Sequence, residues 1–398
     1  MALSLVMVLT CLVLAFLLSQ FFKWLRLPKV VGQIAAGFIL SSSTIHVLLF
    51  NAESLKVLDF LANLGIILLF FYIGLELNLS VFIKNFKSFF ILSVSKAFFP
   101  LILGFLVMKF VFGFNLLVSL IVGISLSAGA LSVSTSLLEE LKLLRSKLAT
   151  ALISIGIITD VIELLFVGFI ISLFEISASH VSVSGFFFNL VLFVLFAFFA
   201  RLIFIPYAFK FFDKEKSSTV RFMFALIIVF FIVSVSEFFC LGTLIGAVTA
   251  GMIIRQAIYK DVSIPNWEEH DIARSIHIIS FGFLIPLFFV WIGLNTDFSL
   301  IFKNFVFTLV FVFLAFFGIV GGTVIGARLT GSSFKKGFVL GLGLTPKGDI
   351  GFVLAALALK SGIISYELFS SLVLMAVIVT VISPIMFRNL VKNYFLRK

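Results

Sequence analysis

Apolar residues in this chain run for about 20 positions at a time, broken by short clusters of charged and turn-forming residues. Thirteen such stretches can be marked, at roughly 3-22, 30-50, 55-76, 86-110, 114-138, 147-174, 185-207, 219-237, 240-257, 274-295, 304-329, 335-360 and 366-388. Each is long enough to cross a bilayer as a helix, so the pattern predicts an all-α polytopic membrane protein of about 13 spans. One stretch breaks the apolar rule. In Ser154-Ile-Gly-Ile-Ile-Thr-Asp-Val-Ile-Glu-Leu-Leu165, two acids lie inside the sixth span. At 100° per residue, Gly156, Thr159, Asp160 and Glu163 share one arc of roughly 100°, a polar stripe that must turn away from lipid. A carboxylate at the bilayer centre costs about 3 kcal/mol on insertion scales, so Asp160 is a functional candidate; the bland alternative is an acid that only pins two helices together.

Composition agrees with the pattern: 62% of residues are hydrophobic, 12% are charged and the mean hydropathy is +1.30. Met1 to Phe22 lacks a basic leader and a small-residue cleavage site, and reads as a span. The net charge of +11 is explained by its distribution, without nucleic acid as a partner. Loops after odd-numbered spans, with the C-terminus, hold 22 Lys and Arg; the opposite side holds Lys56, Lys109, Lys303 and Lys360. The positive-inside rule then places the N-terminus outside and the C-terminus in the cytoplasm. Lys96, Arg201 and Lys347 fall within spans, and Lys96 and Arg201 are expected to snorkel to an interface. Cys11 and Cys240, and His46, His180, His270 and His277, have no metal-ligand spacing. Glu76 and Glu237 lie at predicted helix ends, and 261-271 reads as an interfacial loop.

An internal repeat adds organisation. Residues 68-86 (LLFFYIGLELNLSVFIKNF) match residues 287-305 (LFFVWIGLNTDFSLIFKNF) at nine of nineteen positions, at an offset of 219. The copies begin in spans 3 and 10, an odd number of crossings apart, so the two halves are expected to be inverted. Spans 1-6 pair with spans 8-13, and span 7 connects them. Inverted repeats characterise secondary transporters, with a binding site near the midplane. The same offset aligns Ser127-Ala-Gly-Ala-Leu131 with Pro346-Lys-Gly-Asp-Ile350, each predicted to interrupt a helix. Broken helices at membrane depth line cavities or lie buried in protein, and their ends supply partial charges for an ion site. Lys347 needs a partner there, with Asp160 and Asp349 as candidates; in the bland reading Lys347 and Asp349 neutralise each other or cap half-helices.

At these residues the chain resembles the monovalent cation:proton antiporter superfamily, especially its second branch of sodium/proton antiporters and potassium-efflux transporters. The resemblance rests on Leu27-Pro28 before Gly32, FYIGLEL at 71-77, the serine-rich break at 125-135, ITDVIELL at 158-165, FFVWIGL at 288-294 and TPKGDIGFVLA at 345-355. It implies a homodimer without a cofactor, in which 1-84 and 219-303 form scaffold and dimer helices. Residues 85-175 and 304-390 would form the ion-binding core, and 176-218 the connector. Asp160 corresponds to the family's ion-binding aspartate, Thr159 to its neighbour, Lys347 to the basic residue of the second broken helix and Asp349 to the acid two residues on. Thr159 replaces a second acid, pointing to electroneutral exchange. Gly129 stands where relatives often carry threonine, so oxygens of Ser127, Ser132 or the backbone would complete the cation's shell. The role of Glu163 stays open.

The resulting expectation is a non-enzymatic antiporter in the cytoplasmic membrane of a prokaryote. It exchanges Na+ (or K+ or Li+) for H+ by alternating access, with both ions competing for Asp160 beside Thr159. A K+/H+ efflux system, a cation channel and a non-transporting sensor are the alternatives. The efflux systems often append a nucleotide-binding domain, which this chain lacks up to Lys398. An intramembrane enzyme would need a nucleophile with a base or a metal-ligand cluster, and the sequence offers neither.

Overall fold

The computed structural model describes residues 2-25, 27-76, 86-143, 146-179, 183-204, 218-258, 271-297 and 305-395. Helix accounts for nearly all of them, and no strand occurs among them. In chain order the helices are α1 (Ala2–Trp24), α2 (Lys29–Leu40), α3 (Ser43–Leu49), α4 (Ala52–Glu76), α5 (Phe86–Leu106), α6 (Leu116–Ser127), α7 (Leu131–Glu140), α8 (Lys147–Ser179) and α9 (Val183–Phe199). They continue as α10 (Ser218–Phe238), α11 (Gly242–Ile258), α12 (Asp271–Ile279), α13 (Ile285–Leu294), α14 (Phe305–Leu329), α15 (Phe334–Leu344), α16 (Asp349–Lys360) and α17 (Tyr366–Phe395).

Every predicted stretch contains helix, while the count of thirteen crossings is not confirmed by the measure of length and apolarity. Eight helices among the described residues satisfy it, or nine if α15 and α16, bent by 52° at their junction, count as one span. The stretch 30-50 is divided into α2 and α3 at a run of serines, where the Ser41 hydroxyl donates to the Phe38 carbonyl at 2.8 Å and competes with the helix ladder. π-Helical turns extend α5 (Val107–Val111) and α9 (Ala200–Phe204) and lead into α13 (Ser280–Leu284). Large apolar side chains lie exposed along α1, α9 and α14, the behaviour of helices whose solvent is hydrocarbon. Residues 77-85 and 298-304 of the two repeat copies, and 261-270 of the predicted loop, lie outside the described residues.

The chain clusters into two units. The first comprises 1-12, 47-79 and 168-291. In it α4 packs on α11, which packs on α10. Arg255 is buried near the end of α11 and donates to the carbonyl of Leu75, close to the C-terminus of α4. That bond gives a desolvated guanidinium a partner at the negative end of a helix. Arg255→Ala should therefore lower the melting temperature by several degrees in detergent, because packing and a charge-assisted bond are lost together.

The second unit comprises 13-46, 80-167 and 292-398, and holds the two interrupted helices. Its centre is α14, which packs on α5, α6, α15 and α17. Gly318, Gly322 and Gly326 recur every fourth residue along α14 and meet α5 directly: built Cβ atoms would lie 2.6 Å from Pro100 Cβ, 2.9 Å from Phe99 Cβ and 2.9 Å from Leu92 Cα. Without a hydrophobic force between helices in lipid, such small-residue stripes let backbones approach and gain dispersion contact. Gly322→Leu should force the two helices apart; the check is a loss of monodisperse protein in size-exclusion chromatography. A buried cluster around Leu138, Leu152, Ile155, Val320, Leu340 and Phe387 joins α7, α8, α14, α15 and α17.

Candidate functional site

Both predicted interruptions are present and they cross. α6 ends at Ser127 and α7 begins at Leu131; α15 ends at Leu344 and α16 begins at Asp349. Under the 219-residue offset, the non-helical 128-130 falls on 347-349, so the breaks occupy corresponding places in the repeat. At the crossing the Ala130 amide donates to the Pro346 carbonyl at 2.7 Å. A Cβ on Gly348 would lie 2.8 Å from Ala130 Cα, so the two extended segments touch where no side chain fits. The Ser134 hydroxyl adds a bond to the Gly343 carbonyl, tying α7 to α15. Thr380 of α17 holds the second break, accepting from the Lys347 amide at 2.9 Å and donating to the Lys347 carbonyl at 3.3 Å.

α8 lies against this crossing through its polar stripe. A Cβ on Gly156 would lie 2.6 Å from Leu131 Cδ1 at the start of α7, while Glu163 two turns on reaches Ser127 and Gly129. Asp160 sits between these two contacts on the same arc and is half-buried. Thr159 is fully buried, and its hydroxyl donates to the Ile155 carbonyl at 2.7 Å, leaving its oxygen lone pairs to accept. Asp349 is the first residue of α16, half-buried, where a carboxylate favours the positive end of a helix. The Lys347 ammonium donates to the Leu126 carbonyl at the C-terminal end of α6, a backbone partner beyond the two expected candidates, Asp160 and Asp349. The side chain of Ser132 lies outside the described residues.

Lys96 corrects the expectation of snorkelling. It is 1% exposed, and its ammonium donates to Glu163 Oε1 at 2.8 Å and to the Ser127 carbonyl at 2.9 Å. The physical reason is depth. Nine residues into a 25-residue span, Lys96 is about 14 Å from the nearer end, beyond what its four-carbon stem can reach. That arithmetic was available in the sequence; its partner, 67 residues away on another helix, was not. Beside the crossing, the buried Ser125 hydroxyl has no hydrogen-bond partner among the described residues and, with Lys347 and Gly348, lines a cavity of about 10 Å³, room for one water-sized particle.

The crossed interruptions thus carry one buried and two half-buried carboxylates with two buried lysines whose ammonium groups reach the carbonyls that end α6. The transmembrane sodium/hydrogen exchanger family matches residues 8–393. The chain belongs to that family. It is 27% identical over 373 residues to the probable Na+/H+ antiporter GerT of Bacillus cereus, covering 92% of this chain and 93% of GerT. It is 25% identical over 366 residues to the Na+/H+–K+ antiporter GerN of the same organism, covering 91% and 89%. Among solved structures it resembles the sodium proton antiporter MjNhaP1 of Methanocaldococcus jannaschii with a TM-score of 0.68 at 15% identity, covering 97% and 96% of the two chains, which establishes a shared fold. Members of this exchanger family are multi-pass membrane transporters, and this chain, with eight apolar spans among its described residues, is one of them.

Proposed function

We propose that this exchanger carries Na+ against H+ by alternating access, with cation and proton competing for the Asp160 carboxylate. The observation that carries the reading is the placement of the Asp160 turn of α8 against the α6–α7 interruption, bracketed by Gly156 and Glu163. A hard monovalent cation takes oxygen ligands, and Asp160, the Thr159 oxygen and unwound backbone carbonyls supply them without a resident cofactor. A carboxylate holds either a proton or a cation, so only a neutralised site crosses, and competition alone couples the two fluxes. With Thr159 in place of a second acid, one charge is exchanged for one and the cycle is electroneutral. Lys347 and Asp349 set the field at the second break. Residues 1-84 and 219-303 serve as scaffold and homodimer contact, 85-175 and 304-390 as the moving core, and 176-218 as connector. The N-terminus faces outward and the C-terminus the cytoplasm of a prokaryotic cell, as the basic loops direct.

Exchange of K+ for H+ is the second reading, favoured by the likeness to GerN, whose name includes both cations. Proteoliposomes loaded with a pH-sensitive dye and acidified inside separate the two. Adding Na+ should dequench the dye at lower concentration than K+ or Li+; a preference for K+ selects the second reading. No dequenching with any of the three rejects both. An imposed membrane potential should leave the rate unchanged, and a rate that follows the potential overturns the one-for-one stoichiometry.

A further inference from the structure

The first interruption contains a small oxygen nest that is already filled. The Ser127 carbonyl, the Ser127 hydroxyl and the Glu163 carboxylate converge there, the hydroxyl donating to Glu163 Oε1 at 3.2 Å. The Gly129 amide donates to Glu163 Oε2 at 3.4 Å and fixes the second oxygen. The Lys96 ammonium sits among them, 2.8 Å from Glu163 Oε1 and 2.9 Å from the Ser127 carbonyl, with both ionic side chains fully buried. Gly129 is what admits it: a Cβ there would lie 3.0 Å from the ammonium nitrogen. An ammonium and a potassium ion are alike in charge and close in radius, and both are satisfied by a carboxylate with carbonyl and hydroxyl oxygens at these distances.

We infer that the nest of Ser127 and Glu163 is a latent monovalent-cation site occupied by the chain's own Lys96, which acts as a tethered cation and a positioning residue. Lys96 neutralises the carbonyl end of α6, Glu163 the amide end of α7, and together they hold residues 128-130 in their unwound form. The pair therefore stays closed during transport, and Glu163 is not the carrier of the exchanged proton. Removing either partner alone strands a buried charge, whereas removing both leaves two neutral groups.

The inference goes beyond the proposed exchange and is tested without transport, on the Asp160→Asn chain, so that cation binding at the proposed transport carboxylate contributes nothing and the two readings fail separately. Melting temperatures in detergent are compared in KCl, NaCl, LiCl and choline chloride at equal ionic strength. Adding Lys96→Met should lower the melting temperature by several degrees in choline, and K+ should restore most of that loss, Na+ less and Li+ least. Lys96→Met with Glu163→Gln should melt above Lys96→Met in choline and show no K+-dependent gain. Equal melting of Lys96→Met in K+ and choline overturns the inference, as does the same K+ gain in the double variant. If Lys96→Met is recovered in neither salt, the double variant decides: monodisperse protein in choline supports the nest, and its absence rejects it. In the chain with Asp160 intact, Lys96→Met with Glu163→Gln, which removes the pair without stranding a charge, should leave the pH midpoint of exchange in place, and a shifted midpoint overturns the closed pair.

Discussion

Asp160→Asn is expected to abolish cation-driven proton movement in proteoliposomes, lowering the rate at least ~100-fold, or about 2.7 kcal/mol of lost coupling on the transition-state scale. Asparagine keeps the shape and the carbonyl oxygen, so the half-buried turn between Gly156 and Glu163 has no reason to repack. What disappears is the group that can be emptied of a proton and refilled by a cation. The melting temperature should stay within a few degrees of the parent. Asp160→Glu retains the chemistry but moves the carboxylate by one methylene, and should keep measurable exchange with a weaker apparent affinity. Full exchange by Asp160→Asn would remove the proposed site while leaving the fold untouched.

The second large effect is expected at the crossing of the interrupted helices. Gly348 has φ −126° and ψ −172°, an extended conformation open to any residue, so space alone explains why it is glycine. A Cβ there would lie 2.8 Å from Ala130 Cα and 3.0 Å from Ala130 Cβ, and also meet the Gly129 carbonyl. Gly348→Ala should force the segments apart and strain the bond from the Ala130 amide to the Pro346 carbonyl, at an overpacking cost of about 1–3 kcal/mol. Exchange should fall by at least ~10-fold, which corresponds to the lower part of that range. Gly348→Val, with two more methyl groups at the same point, should yield aggregated protein. Rates and size-exclusion profiles of the two variants check the order; a fully active Gly348→Val would show that the segments do not need this contact.

Much of this arrangement was legible in the residues. Hydropathy placed helix in every predicted stretch, because in lipid each backbone donor must be satisfied within its own segment. The interruptions were legible because Pro346 and Gly348 break a helix by known chemistry, and the repeat pointed to the matching place at Gly129. The division of 30-50 into α2 and α3 was not drawn from the serine run at 41-43, although it was in view; the Ser41 side chain competes there for a backbone bond. Periodicity does not reveal the π-helical turns, since the extra residue rotates the following face by about 100° and a span that is apolar nearly all round carries no stripe to show the shift. Asp160 and Thr159 could be found from one helix, being four and three residues from Gly156. The Lys96–Glu163 pair could not, because it joins two helices whose approach is decided by packing elsewhere. Its hint was a lysine too deep in its span to reach water.

The glycine stripe of α14 limits how this second unit can deform. Three successive turns of α14 lie flush on the backbone of α5, so shear between these rods would drive Pro100, Phe99 and Leu92 into main-chain atoms. The two rods are closely fitted at this spacing, and sliding one past the other would meet main-chain atoms. Residues 128-130 and 345-348, whose peptide planes are not stacked in a helical column, are where α6 and α7, and α15 and α16, can bend against one another. A pair of spin labels on the lipid-facing sides of α5 and α14 would thus serve as a fixed baseline against which the swing of α7 or α16 can be measured.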